Sequence, residues 1–344
     1  MLALVTGGTG YLGSFLVQRW AARYGSDAVV CLVPPQGNAA ETATREAFVR
    51  QGIRCVEGDL CRRPVADNLA GPWDVVFHLA AATDTSWPES RLAPINVEGT
   101  ANLLATLHRQ LSGARVVLTS TSAAVDRTRR PRGPLTETSP CHPRTPYGRT
   151  KLAAERLVQE GCAREGATYT IARLTTLYGP GVRTGLVPVL AEGLRQGRLA
   201  AAVDWPGRAS MLYIDDAVRL LLFLAECPGA ADQVFFLTSG EAIRIGDVSR
   251  RIARLLNAPA KPVTLPAWCW GLLRRLVWIP GLTRLVPWRL LHVLDDGLWC
   301  DNTKVSRLCP FELVQFDEGL ARTFAPAGAP SDCLPVAPSP ERIQ

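Results

Sequence analysis

Four glycines fall between Thr6 and Gly13, directly after the apolar run Leu2-Ala3-Leu4-Val5 and directly before an amphipathic stretch from Tyr11 to Arg23. Within Thr6-Gly7-Gly8-Thr9-Gly10-Tyr11-Leu12-Gly13, Gly8, Gly10 and Gly13 satisfy G-x-G-x-x-G, while Gly7, Gly10 and Gly13 satisfy G-x-x-G-x-x-G. Glycine reaches positive φ without steric penalty and lets a ligand or a neighbouring strand approach the main chain. A helix that starts immediately afterwards offers unpaired N–H groups and the positive end of its dipole, which together suit a pyrophosphate. Glycine-rich turns between a strand and a helix are common without any ligand. The order of strand, glycines and helix at the first strand is nevertheless what dinucleotide binding requires. It makes Gly7, Gly10, Tyr11, Leu12 and Gly13 candidates for cofactor contact.

The rest of the first half keeps that rhythm. Apolar runs at Leu2–Thr6, Ala28–Val33, Arg54–Glu57, Val75–Leu79, Val116–Ser120 and Thr170–Leu174 alternate with helical patterns near Tyr11–Arg23, Glu41–Arg50, Pro94–Gln110 and Tyr147–Gly161. Strands separated by helices of this length imply βαβ units, hence an α/β fold with a doubly wound parallel Rossmann sheet. This domain is expected over residues 1–180, with 209–238 returning to it. Helical patterns at Val187–Gln196 and Asp215–Cys227 flank a looser region. A smaller, mainly helical C-terminal substrate domain is expected from 181–208 and 239–324. Residues 325–344, rich in Ala and carrying five Pro, read as a disordered tail.

Composition narrows the function classes. The 344 residues are 47% hydrophobic and 20% charged, which excludes a disordered chain. No run of about 18 uncharged apolar residues is present, so a membrane span is not expected. Ten Cys occur without a C-x-x-C pair or a zinc-like Cys/His spacing. They read as small hydrophobes in a reducing compartment, with no metal site. Met1 leads straight into the first strand, which leaves no room for a signal peptide and makes a cytoplasmic location the expectation. The net charge is +7, yet no interleaving of aromatic and basic residues points to nucleic acid. The basic run Asp126–Arg132 could steer an anionic group such as a CoA phosphate, although a solvated loop is the plainer reading.

Nearly all of the 38 basic residues are Arg; only Lys151, Lys261 and Lys304 are Lys. Lys151 stands four residues after Tyr147, and positions i and i+4 share a helix face. An ammonium beside a phenol stabilises phenolate and lowers a pKa otherwise near 10, so that Tyr147 can act as general acid or base. Many Tyr–Lys pairs are only solvated neighbours. Here Thr119-Ser120-Thr121-Ser122 ends an expected central strand, where a hydroxyl points into the ligand crevice. The usual acidic ribose ligand should sit at the end of the second strand, but Pro34-Pro35-Gln36-Gly37-Asn38 holds no Asp or Glu. Nothing there repels a 2′-phosphate, which tilts the cofactor from NAD towards NADP, although the nearest Arg is Arg45.

With TGGTGYLG at 6–13, GDL at 58–60, HLAA at 78–81, NVEGT at 96–100, TSTSAAV at 119–125, YGRTK at 147–151, LYGPG at 177–181 and YIDDAV at 213–218, the chain resembles the extended short-chain dehydrogenase/reductase family from residue 2 to about 324. The resemblance implies that Ser122 positions a substrate oxygen, that Tyr147 gives or takes its proton, and that Lys151 lowers the phenol pKa while bonding the nicotinamide ribose. It also implies that Asp59, with Leu60 beside it, meets the adenine, and that Ala80, Asn96 and Thr175 line the cofactor. Asp59 as a turn residue and Asn96 as a helix cap are the plain alternatives.

Departures from the family pattern bear on substrate. Ser122-Ala123-Ala124 stands where dehydratases of this family carry an Asp-Glu pair, which disfavours elimination. Ala209 stands where sugar-nucleotide epimerases place a diphosphate-gripping Arg, with Arg208 one position off. Leu174 replaces a usual Pro, a change with no evident consequence. The C-terminal part looks more like the branch with 3β-hydroxysteroid dehydrogenases and bacterial ketone reductases. Its segment with Trp268, Trp270, Trp278, Trp288 and Trp299 suits an ordinary core, a lid over a small hydrophobic substrate, or a peripheral membrane contact through 268–290. The expected function is an NAD(P)-dependent oxidoreductase interconverting a secondary alcohol and a ketone on a hydrophobic, sterol-like or acyl-type molecule. A sugar-nucleotide epimerase, a thioester reductase and a non-catalytic cofactor sensor are the alternatives, and a homodimer is left open.

Overall fold

The computed structural model describes residues 1–125, 133–258, 263–277, 294 and 299–325. The basic run 126–132 and the tail from 326 lie outside the described residues, as does most of the Trp-rich segment after Val277.

Strands β1 (Ala3–Thr6), β2 (Val29–Val33), β3 (Arg54–Glu57), β4 (Val75–His78), β5 (Arg115–Thr121), β6 (Thr168–Leu174) and β9 (Gln233–Leu237) form one parallel sheet in the order β3-β2-β1-β4-β5-β6-β9. In its register Val5 lies between Cys31 and Phe77. Successive residues of a strand point to opposite faces, and the core divides accordingly. Ala3, Val5, Cys31 and Phe77 pack under α1 (Tyr11–Tyr24), α2 (Ala39–Arg50) and α8 (Ile214–Glu226). Leu4, Val30, Val76, Val116 and Leu118 pack under α4 (Gly99–Thr106) and α5 (Pro146–Glu165). Helices on both faces make the sheet doubly wound, as the sequence leads one to expect. Its order reverses between β1 and β4, and the crevice beyond the carboxyl ends of these strands is where ligands of such sheets bind.

The helix expected over Pro94–Gln110 is built differently. A short α3 (Glu89–Ala93) runs into a π-helical turn, Pro94–Glu98, before α4 begins, and α4 stops at Thr106. Pro94 has no N–H to continue the ladder. At the other end Arg109 takes φ 66°, and the Gln110 side chain turns away to accept bonds from Gly71 N and Trp73 Nε1.

A second, three-stranded sheet was not legible beforehand: β7 (Thr176–Tyr178), β8 (Arg208–Tyr213) and β10 (Ala242–Arg244), in the order β10-β8-β7. It shares a core with α6 (Leu186–Arg195), α7 (Leu199–Ala202), α9 (Ile245–Leu255) and the helix Phe316–Phe324, giving the smaller C-terminal helical region. Among the described residues no helix is long and apolar enough to cross a membrane.

Candidate active site

The glycine loop sits at the crevice mouth. Gly7 holds φ +70°, and a Cβ there would lie 2.7 Å from Ala80 N; one on Gly13 would lie 2.1 Å from the Gly7 carbonyl. The β1 and β4 exits therefore close on one another through bare main chain. Gly10 is the N-cap of α1 and makes no side-chain cap bond, and the first turn, Tyr11-Leu12-Gly13, holds no acidic residue. A helix start free of carboxylates, with its first N–H groups uncapped, fits a dinucleotide pyrophosphate.

Behind the loop runs a neutral polar chain. His78, 1% exposed, has Nδ1 at 2.7 Å from Thr6 Oγ1 and Nε2 at 2.9 Å from Thr100 Oγ1. Thr100 donates to the Asn96 carbonyl, and Ala80 N donates to Thr6 Oγ1. Burial, reinforced by the Lys151 charge, pushes the imidazole pKa down to about 3, so it stays neutral. Asn96 accepts from Ala82 N at 2.8 Å and donates to Ala82 O and Thr150 Oγ1, both at 3.0 Å. Its amide is thus committed to clamping the Ala80–Ala82 wall onto α5. Thr175 plays a similar part at the β6 exit, where its N and Oγ1 both donate to Leu237 O. Asp59 accepts from Cys61 N at 2.8 Å in a turn and keeps 39% of its side chain exposed, while the Leu60 carbonyl takes Asn102. Arg45 lies 2.7 Å from Glu57 at the end of β3.

At the β5 exit the turn that carries Ser122 packs against the start of the helix that carries Tyr147 and Lys151. Ser122, 9% exposed, opens a short turn whose preceding residue, Thr121, caps it through Ala123 N. Thr145 caps α5 through Gly148 N at 3.0 Å, and Pro146 occupies the first turn, where its missing N–H costs nothing. A Cβ on Gly148 would lie 2.1 Å from the Ala123 carbonyl. The α5 start thus leans directly on the turn that carries Ser122, with Tyr147 next to the contact and Lys151 one turn along. Lys151 is 2% exposed, and burial draws its pKa down to about 8. Burial raises Tyr147 to about 12. The expected lowering of the phenol by the ammonium is not found: burial is the cause that acts on Tyr147, and it raises the pKa.

A charged cluster missed in the sequence lies beneath them. Glu155, a further turn along the same α5 face, accepts from Ser120 Oγ at 2.5 Å and takes a two-point ion pair from Arg173 at 2.7 and 3.0 Å. The two side chains are 3% and 5% exposed. The Glu155 charge offsets part of the burial effect on Lys151. The signal was available: Tyr147, Lys151 and Glu155 recur every four residues, and Arg173 interrupts an apolar strand. Among the described residues no group of three or more metal-ligating side chains occurs.

Fold and site together define a dinucleotide-binding α/β protein of the short-chain dehydrogenase/reductase type. Residues 3–246 match the NAD dependent epimerase/dehydratase family, and the chain belongs to it. It is 30% identical to 2-alkyl-3-oxoalkanoate reductase of Stenotrophomonas maltophilia, over 96% of this chain and 100% of that protein. It is 32% identical to dTDP-glucose 4,6-dehydratase of Mycobacterium tuberculosis, over 79% of this chain and 88% of that one. Among solved structures, UDP-glucuronic acid 4-epimerase from Bacillus cereus with UDP-glucuronic acid and NAD shares the fold, with TM-score 0.71, 22% identity, 94% of this chain and 98% of that chain.

Proposed function

We propose that the protein is an NAD(H)-dependent oxidoreductase that interconverts a secondary alcohol and a ketone on a hydrophobic, acyl-type or sterol-like molecule. The observation that carries this choice within the family is position 209. Ala209 is fully buried in the core of the smaller sheet, and Arg208 on the opposite face of β8 is exposed, its guanidinium 5.9 Å from the Trp299 ring. A guanidinium aimed at a diphosphate from 209 is thus replaced by a methyl group in packed surroundings. The β5 exit likewise offers Ala123-Ala124 and no acid pair for elimination. The end-to-end match with the reductase of S. maltophilia supports the same reading.

The cofactor, when bound, supplies or accepts the hydride. Ser122 Oγ holds the substrate oxygen, and Tyr147 gives that oxygen its proton in reduction and takes it back in oxidation. Lys151, protonated, opposes the build-up of phenolate cost in the desolvated pocket. NAD(H) is favoured, against the tilt towards NADP(H) suggested by the acid-free Pro34–Asn38, because that segment carries no cation either and Arg45 is paired with Glu57. The nine described cysteines, all free thiols, support a reducing cytoplasmic setting.

The test is NADH and NADPH oxidation with 3-oxoacyl and steroid ketones, beside UDP- and dTDP-sugars. Ketone-dependent NADH oxidation is expected, with Tyr147→Phe losing at least about a hundredfold in kcat while keeping NADH affinity. The rate should fall as pH rises through about 8, where Lys151 loses its proton. Conversion of a sugar nucleotide without net change in NADH would replace this reading with epimerisation.

A further inference from the structure

The charge pattern of the C-terminal third changes abruptly. Between Asp247 and Asp295 the chain carries seven Arg and Lys261 but not one Asp or Glu, and four of its nine Trp lie in the same stretch. Helix α10 (Ala267–Val277) belongs to this stretch. One side of it is anchored: Trp270 is 9% exposed, with its ring centroid 5.5 Å from that of Trp205, and it packs with the buried Leu294. The other side is bare. Trp268 is 70% and Leu272 49% exposed, Arg275 is exposed as well, and their spacing of four and three residues puts them on one face.

This exposure is regional. Of the seven large apolar side chains strongly exposed among the described residues, five stand on α6, α7, α9 and α10: Val189, Leu199, Leu255, Trp268 and Leu272. Carboxylates meet the stretch at α9, where Arg250 pairs with Asp204 and Asp247 and Arg251 with Asp317; among the described residues none pairs with Arg275 on α10.

We propose that the exposed face of α10, led by Trp268, Leu272 and Arg275, seats the protein on an anionic lipid surface. Tryptophan rings settle at the boundary between headgroups and acyl chains, leucine reaches the acyl region, and arginine pairs with phosphate. Basic residues that reach the surface beside such a face are drawn to anionic headgroups. Eleven residues are too few to span the hydrocarbon, so α10 would lie in the plane of the interface. A soluble acidic partner would use the charge but leave the Trp268–Leu272 pair without a hydrocarbon phase to enter. The inference stands apart from the reading of the active site.

The experiment sediments the full chain with phosphatidylcholine vesicles and with phosphatidylcholine–phosphatidylglycerol vesicles, at low and high salt. The variants are Trp268→Ser/Leu272→Ser and Arg275→Glu, whose exposed positions should leave the thermal melt unchanged. The chain should pellet with the phosphatidylglycerol vesicles and be released by salt. The double variant should bind at least about tenfold more weakly, and Arg275→Glu should weaken binding by a smaller factor. Failure to pellet with phosphatidylglycerol overturns the proposal, as does binding that the double variant leaves unchanged. Binding to soluble polyglutamate with the same sensitivity to these substitutions would assign the face to an acidic protein instead. A dimer in light scattering that the double variant dissociates would assign it to a second copy of the chain.

Discussion

The crevice rests on two buried polar networks, one neutral and one ionic, and they sit side by side under adjacent strands. Beneath β1 and β4, Thr6, His78, Thr100 and Asn96 pass hydrogen bonds along without a formal charge. Beneath β5 and β6, Ser120, Glu155 and Arg173 share one full ion pair that is almost entirely dry. Both fix loops that carry candidate site residues, yet they respond differently to damage. In the neutral chain each link is worth roughly 0.5–1.5 kcal/mol net. In the ionic one, losing either partner strands a charge in low dielectric. Arg173 also donates from Nη2 to Cys141 Sγ at 3.3 Å and leaves Nη1 without a partner among the described residues.

The largest expected effect breaks the ionic side. Glu155→Leu should cost about 3–5 kcal/mol in urea unfolding, because Arg173 remains buried and unpaired. The double variant Glu155→Leu/Arg173→Leu should recover much of that loss. If the double variant is as unstable as the sum of its parts, the cluster acts through packing and the contrast with the neutral side collapses. Next comes acid. The folded-state pKa of His78 is pushed from 6.5 down to about 3, so the unfolded chain binds the extra proton between those values. Its contribution is fully present above pH 6.5 and is lost progressively as pH falls towards 3. Unfolding midpoints measured across that window should decline, and His78→Gln should flatten the decline. The smallest effect is Thr100→Val, expected to cost about 1 kcal/mol by the same unfolding measurement. A cost as large as that of Glu155→Leu would show that the neutral chain is cooperative rather than link by link.

The two networks also mark how far the sequence could be read. The alternation of strands and helices, the glycine loop and the Tyr147–Lys151 spacing were legible because each has a local signature: apolar runs, glycines before a helix, and a four-residue period. The supporting side chains lack one. Glu155 joins Arg173 and Ser120 from different elements, and nothing local says that a strand arginine and a helix glutamate will meet. His78 and Asn96 sit inside recognisable motifs, but their bonds run behind the crevice wall and are fixed only by the assembled sheet. The second sheet escaped for another reason. β7 and β10 are three residues each, too short for any period to declare itself.

The contact between Gly148 and the Ala123 carbonyl has a consequence for how such an enzyme can change. The separation of Ser122 from Tyr147 is set by one main chain resting against another, with no side chain interposed. Core substitutions on either face of the sheet can alter volumes and still leave that gauge untouched. A single added methyl at 148 cannot, since it would pry the helix from the turn while every chemical group remained in place. New substrates can thus be explored through the walls of the crevice, around a pair of groups whose spacing the lineage is not free to adjust.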